Sequence, residues 1–280
     1  MRVCTGTEYG DWETTNTGKG HFLNRLMFEL RELGVIVVSP ANKADIDLQL
    51  GKYVWEPMAT KSIIRMGCPH FNDPASNKRK ISAISFADAV IYQSKYAKKW
   101  CNKLLVPAKK STVIHNGAVP NLTSGNGPEP VFLASTRIWN AKKRLKDIVK
   151  GFQKAGVGTL YIAGKVDKKI KAPNVIYTGT LTQDGLSSYY NRADVLIHMC
   201  ERDCCPNSVV EAMMSGCRVI TNADAGTPEL LTEHDIVIDK MKELPNAIRS
   251  MKPNRMYPEW LDIKNVAKRY YEFFQEVLDG

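Results

Sequence analysis

Apolar residues fall into two alternating patterns along this chain. Val35-Ile36-Val37-Val38, Ser62-Ile63-Ile64, Ala89-Val90-Ile91-Tyr92 and Thr112-Val113-Ile114 are short runs bounded by turn residues, the pattern of buried parallel strands. Between them, Phe22, Leu23, Leu26, Leu30 and Leu33 recur at helical spacing over 20–33, and 95–105 reads as a basic amphipathic helix. Residues 120–130, PNLTSGNGPEP, predict a linker. The alternation then resumes, with strands expected at 131–134, 159–163, 174–177, 195–199, 218–221 and 236–238. Helices are expected near 144–155, 183–192, 207–215 and 240–250. A last helix, about 259–278, carries Trp260, Val266, Tyr270, Phe273, Phe274 and Val277.

Strands alternating with helices predict βα units and parallel sheets. The expectation is an α/β protein of two Rossmann-like domains: 1–124, rejoined by the helix at 259–280, and 125–258. Open α/β sheets bind ligands beyond the carboxyl ends of their strands, so two such domains facing a cleft suit a phosphorylated small molecule. The length of 280 residues and 44% hydrophobic content support a two-domain globular chain. No apolar run approaches the ~20 residues of a membrane span. No apolar h-region follows Met1-Arg2, and seven scattered cysteines do not form a disulfide framework. A cytoplasmic protein is therefore expected. The net charge of +10 is uneven: residues 1–125 hold 17 Lys+Arg against 10 Asp+Glu, which is +7. Either this is solubility charge, or the first half meets an anionic partner.

The richest chemistry lies in 199–216, MCERDCCPNSVVEAMMSG. An apolar strand ends at Met199, a polar loop follows, and a helix opens near Asn207 or Ser208. The free N–H groups and dipole of a helix start suit an anion such as phosphate. Asp203 and Glu211 can both face the cleft, although eight residues apart they do not share one helical face. The structural alternative for Glu211 is a charge that complements the dipole. His198, Cys200, Cys204 and Cys205 are crowded, but their spacing is not that of a known zinc site, and no metal is expected. Arg65-Met-Gly67-Cys-Pro-His70 follows a strand and makes His70 a candidate site residue against a plain loop histidine; His21 is a weaker one.

The segment resembles the carboxylate pair of the retaining glycosyltransferases of family 4, which have the GT-B fold. Their pattern is Glu, seven residues, Glu, often with Pro-Asn between and Ala-Met after. Asp203, seven residues, then Glu211-Ala212-Met213, with Pro206-Asn207 in place, is similar, with Asp for the first Glu. Other blocks resemble the family's in the same order: Ser135-Thr136-Arg137 with Lys142-Lys143 and Phe152, Tyr161–Gly164, Asn174–Gly179, Tyr190–Val195 and Ala223–Leu230. Counting from Arg137 selects Lys142, while counting back from Phe152 selects Lys143. In the first half, Thr17-Gly18-Lys19-Gly20 before a helix is similar to the family's glycine loop, and Val113-Ile114-His115-Asn116-Gly117 to its Val-Ile-Pro-Asn-Gly block.

The resemblance implies a metal-independent, retaining glycosyltransferase using a nucleotide-sugar donor, UDP- or GDP-linked, and no other cofactor. Arg137, Lys142 or Lys143, and the N–H groups of Ser208 and Val209 would hold the diphosphate. Glu211, Gly164, Gly179, Thr180 and Leu181 would hold the nucleoside. Asp203, Cys204, Cys205, Pro206 and Asn207 would meet the sugar. Asp203, Glu211 and His70 would be catalytic. The first half, with its charge, would take an anionic acceptor: a lipid-linked or membrane-surface glycan precursor, or hydroxylated bases in DNA. A nucleotide-sugar epimerase and a non-catalytic sugar-nucleotide binding module are the rivals. A nucleic-acid binder rests on charge alone, and no oligomeric state follows from the sequence.

Overall fold

The computed structural model describes residues 1–6, 18–39, 42–51, 59–122, 129–253 and 255–280. They form two compact units, Met1–Ala118 with Trp260–Gly280, and Val119–Glu259.

The first unit holds β1 (Arg2–Gly6), α1 (Gly18–Glu32), β2 (Ile36–Val38), β3 (Ala44–Leu50), β4 (Ala59–Met66), α2 (Pro74–Phe86), β5 (Ala89–Tyr92), α3 (Lys95–Leu104) and β6 (Ser111–Val113). Its six strands form one sheet in the order β2-β1-β3-β4-β5-β6, every pair parallel. Three of these elements were not expected from the apolar pattern: β1, β3 and α2. In β3, Asp47 and Gln49 occupy fully buried positions between Ile46, Leu48 and Leu50. Alternating polarity there signals buried polar groups instead of a solvent face: the Gln49 amide donates to Asp47 Oδ2 at 2.7 Å. Burial, with the Asp47 charge adding, pushes the neighbouring Cys4 thiol up to about 12. Helix α2 carries a basic run and a weak apolar stripe, and is set by its start. Asp73 caps it, accepting from the Ser76 N–H at 3.1 Å, with Pro74 following.

The second unit repeats the scheme with β7 (Val131–Ile138), α4 (Leu145–Ala155), β8 (Thr159–Lys165), β9 (Val175–Gly179), α5 (Gln183–Arg192), β10 (Val195–His198), α6 (Asn207–Met214), β11 (Arg218–Asn222), β12 (Ile236–Ile238) and α7 (Leu244–Ser250). The sheet order is β12-β11-β10-β7-β8-β9, again all parallel. The chain lays β8 and β9 on one side of β7, then crosses to lay β10, β11 and β12 on the other. Neighbouring β7 and β10 therefore flank the topological switch point, where doubly wound sheets open a crevice at their carboxyl edge.

The last helix, α8 (Ile263–Asp279), belongs to the first unit. It packs with α1 on one face of that sheet, where the rings of Phe22 and Tyr270 lie 6.2 Å apart and those of Tyr270 and Phe274 5.9 Å apart. Burying one such ring contributes roughly 2–3 kcal/mol. The chain enters the helix through reciprocal bonds: the Ala118 N–H donates to Leu261 O and the Ile263 N–H to Ala118 O, both at 3.1 Å. Gly117 permits this approach, since a Cβ there would lie 2.8 Å from Val266 Cγ2 and 3.0 Å from Ile263 Cα.

Arg65 on β4 is the buried polar anchor of this arrangement. It is 3% exposed, donates to the Tyr270 hydroxyl at 2.7 Å and to Asn116 Oδ1, and lies 4.1 Å over the Phe22 ring. The Arg65→Ala variant leaves two buried polar groups without this donor and removes a cation–π contact. A loss of about 3 kcal/mol is expected, lowering the melting temperature by roughly 6–12 °C. Thermal unfolding measures it, and a shift under ~2 °C would refute this anchoring role.

Candidate functional site

The candidate site lies at the carboxyl edge of the second sheet, around the switch point. β10 is fully buried and delivers the chain at Met199 into the loop 199–206. Five backbone or amide contacts fix that loop. The Cys200 N–H donates to Asn222 Oδ1 at 2.8 Å, and Asn222 Nδ2 donates to Cys200 O at 3.1 Å. The Glu201 N–H donates to Lys142 O at 3.1 Å, and the Arg202 N–H to Asp224 O at 3.1 Å. Asp203 O accepts from the Gly226 N–H at 2.7 Å. The loop after β10 is thus stitched to the loops after β7 and β11.

The two lysines of the Lys142-Lys143 pair are placed differently. Both residues lie in the single 3-10 turn Ala141–Lys143 after β7, whose start is capped by Asn140 Oδ1, accepting from the Lys142 N–H at 3.1 Å. The Lys142 side chain is exposed. Lys143 is partly buried, and its Nζ lies 3.0 Å from Asp203 Oδ2. Burial disfavours the ammonium charge, but Asp203 and the Cys200 thiol together outweigh it and hold Lys143 above its ordinary value. Burial pushes the Cys200 thiol up to about 11, with Asp203 adding to the effect. Burial also drives His198 down to about 4, against the pull of Asp203, so its imidazole is neutral at neutral pH.

Arg144, next to this pair, is more than a solvated charge. Arg144 adopts a left-handed conformation with φ 51° and places its guanidinium on Glu201 Oε1, at 2.8 Å from Nη2 and 3.2 Å from Nε. It therefore braces the Asp203 loop from the β7 side. Asn222 was also missed. Its role is carried by loop backbone, and an Asn at a strand end gives no distinctive sequence signal.

Helix α6 opens directly behind the loop. No side chain caps it, and the Val209 and Val210 N–H groups both donate to Pro206 O, at 3.1 and 3.2 Å. Of the two N–H groups expected to meet an anion, Val209's is thus engaged within the turn, while Ser208's makes no such bond among the described residues. Glu211 is partly buried on this helix, between buried Val210 and Ala212. Cys204, Cys205 and Pro206 are buried, and Asn207 is partly buried.

The remaining donor-side candidates follow the neighbouring strands. Arg137 is exposed at the end of β7. Gly164 has φ +113°, and a Cβ there would fall 1.7 Å from Thr136 O, so close passage of β8 along the irregular end of β7 by itself requires glycine. Gly179 ends β9 with φ +75°, followed by exposed Thr180 and partly buried Leu181. All of these lie on the carboxyl edge that bears Lys143 and Asp203.

His70, Gly18, Lys19 and Gly20 belong to the first unit. His70 is exposed in the loop after β4, and its backbone is clamped by Asn77, which accepts from the His70 N–H and donates to His70 O, each at 2.9 Å. The three residues expected as a glycine loop form the first turn of α1 instead. Thr17 and the stretch joining β1 to this helix lie outside the described residues.

Comparison with known proteins bears on both units. Residues 129–252 match the sequence profile of the family described as glycosyl transferases group 1. No curated protein sequence matches the chain. Among solved structures, a sucrose-phosphate synthase from Thermosynechococcus elongatus superposes with a TM-score of 0.80 at 13% identity, covering 99% of each chain. Anabaena HepE in complex with UDP and glucose gives a TM-score of 0.70 at 12% identity, covering 98% of this chain and 99% of that one. The lipopolysaccharide outer core galactosyltransferase WaaB gives 0.66 at 14% identity, with 99% of each chain covered. Residues 129–252 are thus similar to the glycosyl transferases group 1, and over both units the chain has the GT-B fold that these solved structures share.

Proposed function

We propose that the protein transfers a sugar from a nucleoside-diphosphate sugar to an anionic acceptor, with retention of anomeric configuration and without a metal ion. The observation that carries this reading is the meeting of Lys143 with Asp203 at the switch point, in front of the start of α6. Lys143, exposed Arg137 and the Ser208 N–H supply cations and a donor for a diphosphate. Asp203 and the adjoining Cys204–Asn207 loop supply groups for the sugar. Glu211 takes the ribose hydroxyls, and Gly164 and 179–181 border the base. UDP and UDP-glucose bound to HepE are consistent with a UDP-linked donor here.

In the reaction, the acceptor oxygen attacks the anomeric carbon on the face that the diphosphate leaves. The bond between anomeric carbon and phosphate oxygen breaks, its electron pair goes to the diphosphate, and the acceptor hydroxyl proton passes to a phosphate oxygen. Catalysis then consists of positioning and of stabilising the departing charge. The pairing with Asp203 keeps Lys143 protonated and oriented before the donor arrives. His70 remains a candidate contact of the acceptor from the first unit.

The test is turnover with a panel of nucleotide sugars, without acceptor, in the presence of a strong chelator. Slow release of nucleoside diphosphate from one donor is expected. No hydrolysis of any donor, or isomerisation of the sugar while it stays linked, would overturn the assignment in favour of a binding module or an epimerase.

An anionic acceptor is suggested by the +7 charge of residues 1–125 and by the surface of α3. That helix buries Ala97 and Cys101 and leaves Lys95, Lys99 and Lys103 exposed. Trp100 stays partly exposed, edge-on to Phe71 at 5.2 Å, with Lys103 Nζ 5.1 Å from its ring centroid. An amphipathic surface of this kind suits a membrane-associated acceptor. Affinity for anionic vesicles is expected to fall several-fold between ~50 and ~200 mM salt, with donor affinity changing less. Salt-independent acceptor binding would refute the proposal, and preferential binding to duplex DNA would redirect it to a nucleic-acid acceptor. Among the described residues no helix is long and apolar enough to cross a membrane.

A further inference from the structure

We propose that His198, Cys200 and Asp203 form an inhibitory zinc site whose occupancy competes with Lys143 for Asp203. The inhibitory consequence, unlike the metal site, rests on the loop's being the donor site. One ligand atom from each of the three residues lies within 4.8 Å of the others, a spread that small side-chain rotations can contract to zinc coordination distances. Together they offer imidazole nitrogen, thiolate sulfur and carboxylate oxygen, the donors that zinc prefers.

Two features go beyond proximity. His198 is only 5% exposed, and its Nε2 is buried without a hydrogen-bond partner among the described residues. An unsatisfied buried imidazole nitrogen is costly and calls for a missing partner. The backbone that carries the ligands is also rigid. His198 O accepts from the Thr221 hydroxyl at 2.8 Å, Cys200 is held at both its N–H and its carbonyl by Asn222, and Asp203 O is held by Gly226. The Cys200 thiol makes a long contact to Glu201 O at 3.6 Å and interacts with the side chains of Lys143 and Asp203, the residue that would share the ion with it.

The resident cation is Lys143, 3.0 Å from Asp203 Oδ2. A divalent ion on Asp203 would repel this ammonium, so ion and lysine exclude one another. Binding exchanges the thiol proton, released to solvent, for a sulfur–metal bond, and leaves a fourth position to water. With zinc bound, Lys143 loses its carboxylate partner and Asp203 is withdrawn from substrate.

The experiment uses the whole chain with Co2+ as a spectroscopic probe and Zn2+ as competitor. Saturation near one equivalent is expected, with a sulfur-to-cobalt charge-transfer band and strong visible absorption, both reversed by Zn2+. Cys200→Ser should abolish the charge-transfer band and His198→Gln should weaken binding at least tenfold. Lys143→Met, which removes the competing cation, should tighten binding at least threefold, an outcome that misfolding does not mimic. A charge-transfer band that persists in Cys200→Ser, or Lys143→Met binding no tighter than wild type, overturns the site. Zn2+ should also weaken UDP binding at least tenfold; unchanged UDP affinity in the metal-loaded protein overturns the inhibitory role. Failure to bind UDP with or without metal would instead count against the donor site and leave the metal site standing.

Discussion

Glu211→Ala should lower kcat/KM for the nucleotide-sugar donor by about 100- to 1,000-fold, some 3–4 kcal/mol of transition-state binding. Glu211 lies in the first turns of α6, directly behind the Asp203 loop, and is partly buried. A carboxylate there can accept both hydroxyls of a ribose, and no neighbouring side chain on the helix repeats its chemistry: Val209, Val210, Ala212, Met213 and Met214 are all buried and apolar. Alanine keeps the helix, being its best former. Unfolding should therefore move by less than ~1 kcal/mol. Donor titration and thermal unfolding on the same preparation separate the two roles. Full turnover would remove Glu211 from the site, and intact donor use with a large loss of stability would make it a helix-dipole residue only.

The second large effect contrasts neighbouring lysines. On the proposed reading, in which Lys143 is the cation for the departing diphosphate, Lys143→Met should cost about 100-fold or more in kcat. Lys142→Met should cost less than about threefold, since its exposed side chain acts at most through screened, long-range attraction. Steady-state kinetics of both variants at moderate salt decide the matter. Equal losses would show that the pairing of Lys143 with Asp203 is no guide to the donor complex.

These two residues also show what could be read before the fold was known. The carboxylate pattern, Asp203 with Glu211, is local: eight residues on one strand-loop-helix unit. Its setting was legible because strand burial, loop polarity and helix start are written in contiguous sequence, while the pairing itself rests on the family resemblance. Which of Lys142 and Lys143 meets Asp203 was not, because it depends on which one the Asn140-capped turn directs toward a loop 60 residues later. The part Arg144 plays could not be read either, since its partner Glu201 is 57 residues away. Most of the expected strands and helices form, and α5 runs from Gln183 to Arg192 within the range that periodicity marks for it. β3 escaped because the Gln49 amide bonds Asp47 inside the sheet, so its buried polar positions mimic a wet face. His198 was noticed for crowding, but only its burial shows an imidazole nitrogen left without a partner.

The return of α8 to the first unit has a consequence for how the molecule is made. The second unit, Val119–Glu259, is continuous in sequence, whereas the first is completed by Trp260–Gly280. During synthesis the second unit has every strand it needs while the first still lacks Tyr270, Phe273, Phe274 and Val277, which cover one face of its sheet. Domains generally fold as they emerge, but here the later-made unit is whole first. Until the final helix leaves the ribosome, Phe22, Leu26 and Leu30 of α1 have no α8 to pack against, and the nascent first unit is the segment that a chaperone would find.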